Sequence, residues 1–281
     1  MVGLLYGANY SIIKVVTPQY VDAFGFIVLR VGITTVAFWV ISFFGENEKV
    51  EWKNDGWRIA ICALFGMGIN MLLFFKGLSL TSAINSSIIM TLTPLLIFLG
   101  SVILLKEKMS LLKIIGLVIG LCGAFIIIFP QNSEGSEGNW VGDLFILLNA
   151  TFYGLYLVIV KPLLAKYKPI TIVKWAFLMG FVFVLPFGLQ SLQPVVWSEL
   201  PMKVYLSMGY SIIGVTVIVY IINIWAMKTV SPSTVGAYIY VQPVFATAIA
   251  IAFLGEQLRT SHVIASILVF IGVAMVIKGR Q

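Results

Sequence analysis

Ten apolar runs, each near the roughly 20 residues that carry a helix across a bilayer, follow one another through this chain with little between them. They cover about residues 2–17, 22–44, 56–78, 81–105, 110–129, 140–164, 170–190, 203–226, 232–254 and 260–278. In hydrocarbon every backbone N–H and C=O needs an internal partner, which leaves helices or a closed barrel. Unbroken runs of this length, without period-two alternation, select helices. The charged fraction agrees, at 10% against about 25% in soluble domains, and the mean hydropathy is +1.04. In a soluble chain the formal net charge of +7 would suggest nucleic acid. Here it reads as Lys and Arg on cytoplasmic loops beside a lipid bilayer, with no nucleic-acid partner. The first run starts at Met1 without a basic n-region, so it reads as a span and not as a signal peptide.

The chain also repeats. Gly77 to Ile128, moved forward by 149 positions, lies without a gap on Ala226 to Ile277. Ser82 falls on Ser231, Pro94 on Pro243, Leu105 on Leu254, Glu107 on Glu256 and Gly123 on Gly272. Two apolar sequences match partly by chance, but a Pro and a Glu at the same spacing in both copies are not explained that way. The Ser/Gly/Glu stretch from Gln131 to Asn139 separates two sets of five spans. This predicts an all-α integral membrane protein of ten transmembrane helices: a first repeat over 1–129, a linker over 130–139 and a second repeat over 140–281. Five is odd, so the second repeat enters the membrane inverted, an arrangement that gives alternating access around a midplane site.

With the N-terminus in the cytoplasm, only Lys14, Arg30, Lys76, Lys203 and Arg259 of the 18 basic residues fall on the outer side. The positive-inside rule therefore places both termini inside, in a multi-pass protein of the cytoplasmic membrane, with the linker outside. Trp39, Trp57, Trp140, Trp175, Trp197 and Trp225 fall near span ends, where interfacial aromatics belong.

The opening Tyr6-Gly7-Ala8-Asn9-Tyr10 followed by Lys14, Arg30 in a Leu-Arg pair, Thr93-Pro94 with Leu105-Lys106-Glu107, and Gln242-Pro243 with Leu254-Gly255-Glu256 resemble the EamA family of the drug/metabolite transporter superfamily. The resemblance covers nearly the whole chain. Tyr6 replaces the family's usual Trp, and Lys106 stands where the first copy often has Gly. The resemblance implies two halves around a central cavity lined by spans 1, 3, 4, 6, 8 and 9, with spans 5 and 10 peripheral. It also implies a small-molecule substrate and no cofactor.

Polar groups in hydrocarbon cost free energy unless paired. The candidates for the cavity are Tyr6, Asn9 and Tyr10 in span 1, Asn70 in span 3, Ser87 and Thr91 in span 4, and Asn149, Tyr153 and Tyr156 in span 6. Asn223 in span 8 and Tyr238 and Gln242 in span 9 complete the set. An offset of 147 puts Tyr6 on Tyr153, Gly7 on Gly154 and Lys14 on Lys161. Plain interhelical hydrogen bonding stands as the alternative for any one of them. Pro94 and Pro243 remove a backbone hydrogen bond and bend their spans, as static kinks or gating hinges. Glu107 and Glu256 end those spans on opposite sides, as interfacial caps of the following helix or as gating groups. Lys14, Arg30 and Lys76 either snorkel to headgroups or form a cationic outer vestibule.

No Asp or Glu is expected deep in a span, which gives a carboxylate proton relay no support. Cys62 and Cys122 have no CxxC or His partner and are expected as buried free thiols. One His excludes a multi-His metal site, and no metal is expected. Gly116, Gly120 and Gly123 form a stripe for close helix packing within the monomer, a weak homodimer being the alternative. The function expected is export of small polar metabolites such as amino acids by alternating access. The alternatives are a flippase or translocator for lipid-linked or nucleotide-linked sugars and, remotely, an intramembrane enzyme. Without an acidic dyad, a His-metal set or GxSxG, the chain is read as no enzyme.

Overall fold

The computed structural model describes residues 1–45, 48–107, 109–129, 139–219, 221–222 and 240–278, and their regular structure is entirely helical. In chain order the helices are α1 (Val2–Val16), α2 (Ala23–Phe43), α3 (Trp52–Leu80), α4 (Ala83–Leu105), α5 (Leu111–Ile128), α6 (Trp140–Leu164), α7 (Pro169–Gly188), α8 (Met202–Ile218), α9 (Gln242–Leu254) and α10 (Thr260–Lys278). Seven are long and apolar enough to cross a membrane, while α1, α8 and α9 are shorter apolar helices. Apart from the α8 exit and the α9 entry, their ends fall within a few residues of those of the apolar runs. Residues 223–230 and 231–239, which the sequence assigns partly to spans 8 and 9, lie outside the described residues. Short polar side chains start several helices: Asp22 accepts from the Phe24 N–H, Ser82 from Asn85, and Asn139 from Val141, each satisfying an orphan donor of the first turn.

Where the connections are described they are short and reverse the chain. The side on which α1 begins is the near side. The α1 exit, the α3–α4 turn and the α9 exit share the opposite, far side. Along the layer, α2 packs on α7, α5 on α10, α1 on α9 and α8, and α6 on α4 and α3. Two glycines mark a matched pair of close crossings. A Cβ on Gly7 would stand 2.6 Å from Phe245 Cβ and 3.1 Å from Ala246 N in α9, and one on Gly154 would stand 3.1 Å from Ile97 N and 3.2 Å from Leu96 C in α4. These are the positions that the offsets of 147 and 149 make equivalent. The glycine stripe of α5 meets α10 within the same chain: Gly116 faces the Gly272 carbonyl and Gly123 that of Ala265.

Among the described residues, three helices contain a wider, π-type turn, at Ala63–Gly68 in α3, Tyr210–Ile218 in α8 and Ala250–Leu254 in α9. The first two begin 147 residues apart. Helix α4 is interrupted at Thr91–Leu92 and resumes at Thr93, so Pro94 stands at the start of a helical segment, where no N–H is needed. Pro243 takes the same place in α9. In α4 the break thus lies just before the proline.

On the near side, the Asp55 carboxylate accepts from Lys166 Nζ at 3.0 Å and from the Tyr167 hydroxyl at 2.9 Å, tying α3 to the α6–α7 turn. The hydrogen bond to Asp55 raises the Lys166 ammonium above its ordinary pKa. One expectation is corrected here. Cys62 is buried, but Cys122 is exposed on α5, because an apolar run does not distinguish a face turned to lipid from one turned to a neighbouring helix.

Candidate functional site

The polar residues of α1 and α6 supply the centre of the site. Tyr6 and Tyr10 are one turn apart on α1, and Asn149, Tyr153 and Tyr156 follow one face of α6. Tyr6 lies within electrostatic reach of Tyr10, Tyr153 and Tyr156. The fold therefore sets Tyr6 of α1 near Tyr153 and Tyr156 of α6, about 150 residues away in sequence. Tyr10 and Tyr156 are buried, while Tyr6 and Tyr153 are half-buried. The rings of Tyr153 and Tyr156 are 6.0 Å apart, and Tyr10 meets Phe74 edge-on at 5.6 Å. Gly66, in the π-type turn of α3, leaves room for the Tyr156 ring, which an added Cβ would meet at 2.7 Å. The Tyr10 hydroxyl donates to Gln242 Oε1 at 3.4 Å, bringing α9 into the same group.

Other candidates are engaged in holding helices. Asn70 Nδ2 donates to the Asn149 carbonyl at 3.0 Å, and Asn149 Nδ2 to the Asn70 carbonyl at 2.8 Å. This reciprocal pair clamps α3 to α6 and fixes the orientation of the Asn149 amide. Ser87 donates to the Ile84 carbonyl and Thr91 to that of Ser87, both within α4. Such back-bonding competes with the helix ladder, and it accompanies the interruption after Met90. Asn223 and Tyr238 lie outside the described residues.

Of the basic candidates, Arg30 is only 7% exposed and does not reach the surface. Its Nη1 donates to Ser211 Oγ in α8 at 2.9 Å, and its guanidinium lies 5.0 Å from the Phe75 ring centroid. Lys76 extends over Phe24 at 5.7 Å. Lys14 pairs with Glu256 at 3.8 Å.

Glu256 is the residue whose partners the sequence reading missed. It caps no part of α10. Its two carboxylate oxygens accept from the backbone N–H groups of Ala83 and Ile84, at 2.8 and 3.0 Å. These are orphan donors at the positive end of α4, where a carboxylate is stabilised. One buried side chain at the α9 exit thereby joins α9, α4 and, through Lys14, α1. The backbone that delivers it recurs: the Glu256 N–H reaches the Ala250 carbonyl across Gly255 at φ 70°, and the Glu107 N–H reaches that of Ser101 across Lys106 at φ 54°.

Asp143 stands in the first turn of α6, near a span end, yet is wholly buried. It accepts from Thr81 Oγ1 at 2.5 Å and from Asn85 Nδ2 at 3.2 Å. The donors come from the α3–α4 turn, so burial follows from a contact that spacing along α6 does not reveal.

The model of the EamA-like transporter family matches residues 1–129 and 140–278. The uncharacterized transporter YyaM of Bacillus subtilis is 25% identical over 271 residues, covering 95% of this chain and 88% of its own. An uncharacterized transporter of Archaeoglobus fulgidus is 24% identical over 278 residues, covering 98% and 95%. A WAT1-related protein of Arabidopsis thaliana is 23% identical over 310 residues, covering 98% and 80%. A solved crystal structure, 20% identical, superposes with a TM-score of 0.64 over 98% of this chain and 93% of its own, a likeness of fold. Matched in both halves and aligned end to end with transporters, the chain belongs to the EamA-like transporter family, within the drug/metabolite transporter superfamily.

Proposed function

We propose that this protein exports small polar metabolites, amino acids among them, by alternating access through a cavity centred on Tyr6, Tyr10, Tyr153 and Tyr156. The observation that carries the reading is the matched pair of crossings, Gly7 on α9 and Gly154 on α4. Their equivalence supports ten spans arranged as two inverted repeats, 1–129 and 140–281, since only a two-fold relation makes α1 meet α9 as α6 meets α4. The recurring π-type turns, proline positions and left-handed helix exits add to it. Positive-inside counting puts the near side and both termini in the cytoplasm.

In this reading the far side is held shut by Glu256, which must leave the α4 N-terminus and Lys14 before α4 and α9 can separate. Pro94, beside the break in α4, and Pro243, at the equivalent place at the start of α9, are the hinges. Glu107 gates the near side from the equivalent backbone position. Arg30, with Lys14 and Lys76, gives the far half of the pathway a positive charge suited to a substrate carboxylate.

The test is untargeted mass spectrometry of culture medium from cells overproducing the protein, with an empty vector and an Asn9→Ala, Tyr153→Ala double variant at matched expression as controls. One compound class accumulates outside with the wild type and not with the variant. Unchanged medium in all three overturns export.

A further inference from the structure

Asn149 Oδ1 is buried without a hydrogen-bond partner, and so is Asn9 Oδ1. Their residues are 2% and 3% exposed. For Asn149 the amide orientation is fixed, because its Nδ2 is bound to the Asn70 carbonyl, so the atom left over is an acceptor. A buried acceptor without a donor carries a desolvation penalty that a ligand N–H or O–H removes. Both atoms belong to the helix faces that carry the tyrosines: Asn9 is three residues from Tyr6 and adjacent to Tyr10, and Asn149 is one turn before Tyr153.

We infer that the group bound at the centre of the cavity is a protonated amine, with the tyrosine rings facing its charge and Asn9 Oδ1 and Asn149 Oδ1 accepting its N–H groups. This rests on the transport reading above and specifies which end of the substrate that site recognises. A cation within about 6 Å of an aromatic centroid is attracted by the ring quadrupole, the more so when water is excluded, and N⁺–H donors make the stronger hydrogen bonds to carbonyl oxygens. The 6.0 Å spacing of Tyr153 and Tyr156 lets one ammonium interact with both rings.

The test uses the full chain in lipid nanodiscs and three probes of one skeleton, n-butylamine, butane-1,2-diol and butyrate, with affinities from saturation-transfer NMR at pH 7. The amine binds most tightly of the three. Asn9→Asp tightens it about tenfold by adding a charge beside it, and shifts the diol by no more than about threefold. Tyr153→Leu weakens the amine about tenfold, and Tyr153→Phe, which keeps the π face, weakens it less. The tyrosine pair of variants is an independent arm should the Asn9 variant not fold. The inference is overturned if the diol or butyrate binds more tightly than the amine, if no probe binds, or if neither Asn9→Asp nor Tyr153→Leu moves the amine affinity as stated. Export of a compound class without an amine in the culture experiment would leave transport standing and remove this assignment alone. Amine binding with no export would do the reverse.

Discussion

Lys106 and Gly255 close α4 and α9 with the same left-handed turn, at φ 54° and 70°, yet only one of them is glycine. A side chain in that region costs on the order of 1 kcal/mol through the contact between its Cβ and the backbone. Gly255→Ala therefore lowers stability by about 1 kcal/mol, and Lys106→Gly raises it by about 0.5 kcal/mol after the entropy that glycine adds to the unfolded chain. Thermal unfolding in detergent measures both, and a Lys106→Gly protein less stable than the wild type would contradict the turn. That these two residues occupy equivalent positions was legible in the sequence, from the spacing of the following glutamates. The destination of Glu256 was not. Its partners Ala83 and Ile84 are more than 170 residues away, and a backbone N–H leaves no mark in a sequence. Arg30 shows the same limit, since snorkelling and burial fit the same position until Ser211 and Phe75 are seen around it.

The helices themselves were readable because lipid demands continuous apolar runs with internal hydrogen bonding, and composition reports that directly. What composition does not report is which face of a run meets lipid and which meets protein. Hence Cys122 was misplaced, and the π-type turns of α3 and α8, set by packing against neighbours, were not foreseen. Glycine is the better guide to packing. Gly7 and Gly154 each admit another helix to a distance at which a Cβ would stand only 3.1 Å from backbone atoms. Gly7→Val and Gly154→Val accordingly each destabilise by about 1–3 kcal/mol, the usual range of overpacking, and by similar amounts because the crossings are equivalent. Equilibrium unfolding of the two variants side by side checks this. One variant neutral and the other severely destabilised would argue that the crossings are unrelated.

Taken as a whole, the molecule joins α9, α4 and α1 on its far side through Glu256 and carries its polar aromatic groups on α1 and α6. The family and the helical architecture followed from the sequence. The nearness of Tyr6 to Tyr153 and Tyr156 followed only from the fold, because these residues belong to opposite halves. The most direct test of alternating access needs no known substrate. In a protein carrying Cys62→Ala and Cys122→Ala, a Tyr153→Cys substitution is exposed, in sealed oriented vesicles, to a membrane-impermeant thiol reagent from each side in turn. The account predicts labelling from both sides, with the far-side rate rising when Glu256→Gln is added. Labelling from neither side, or from one side only and at a rate indifferent to Glu256→Gln, would contradict it.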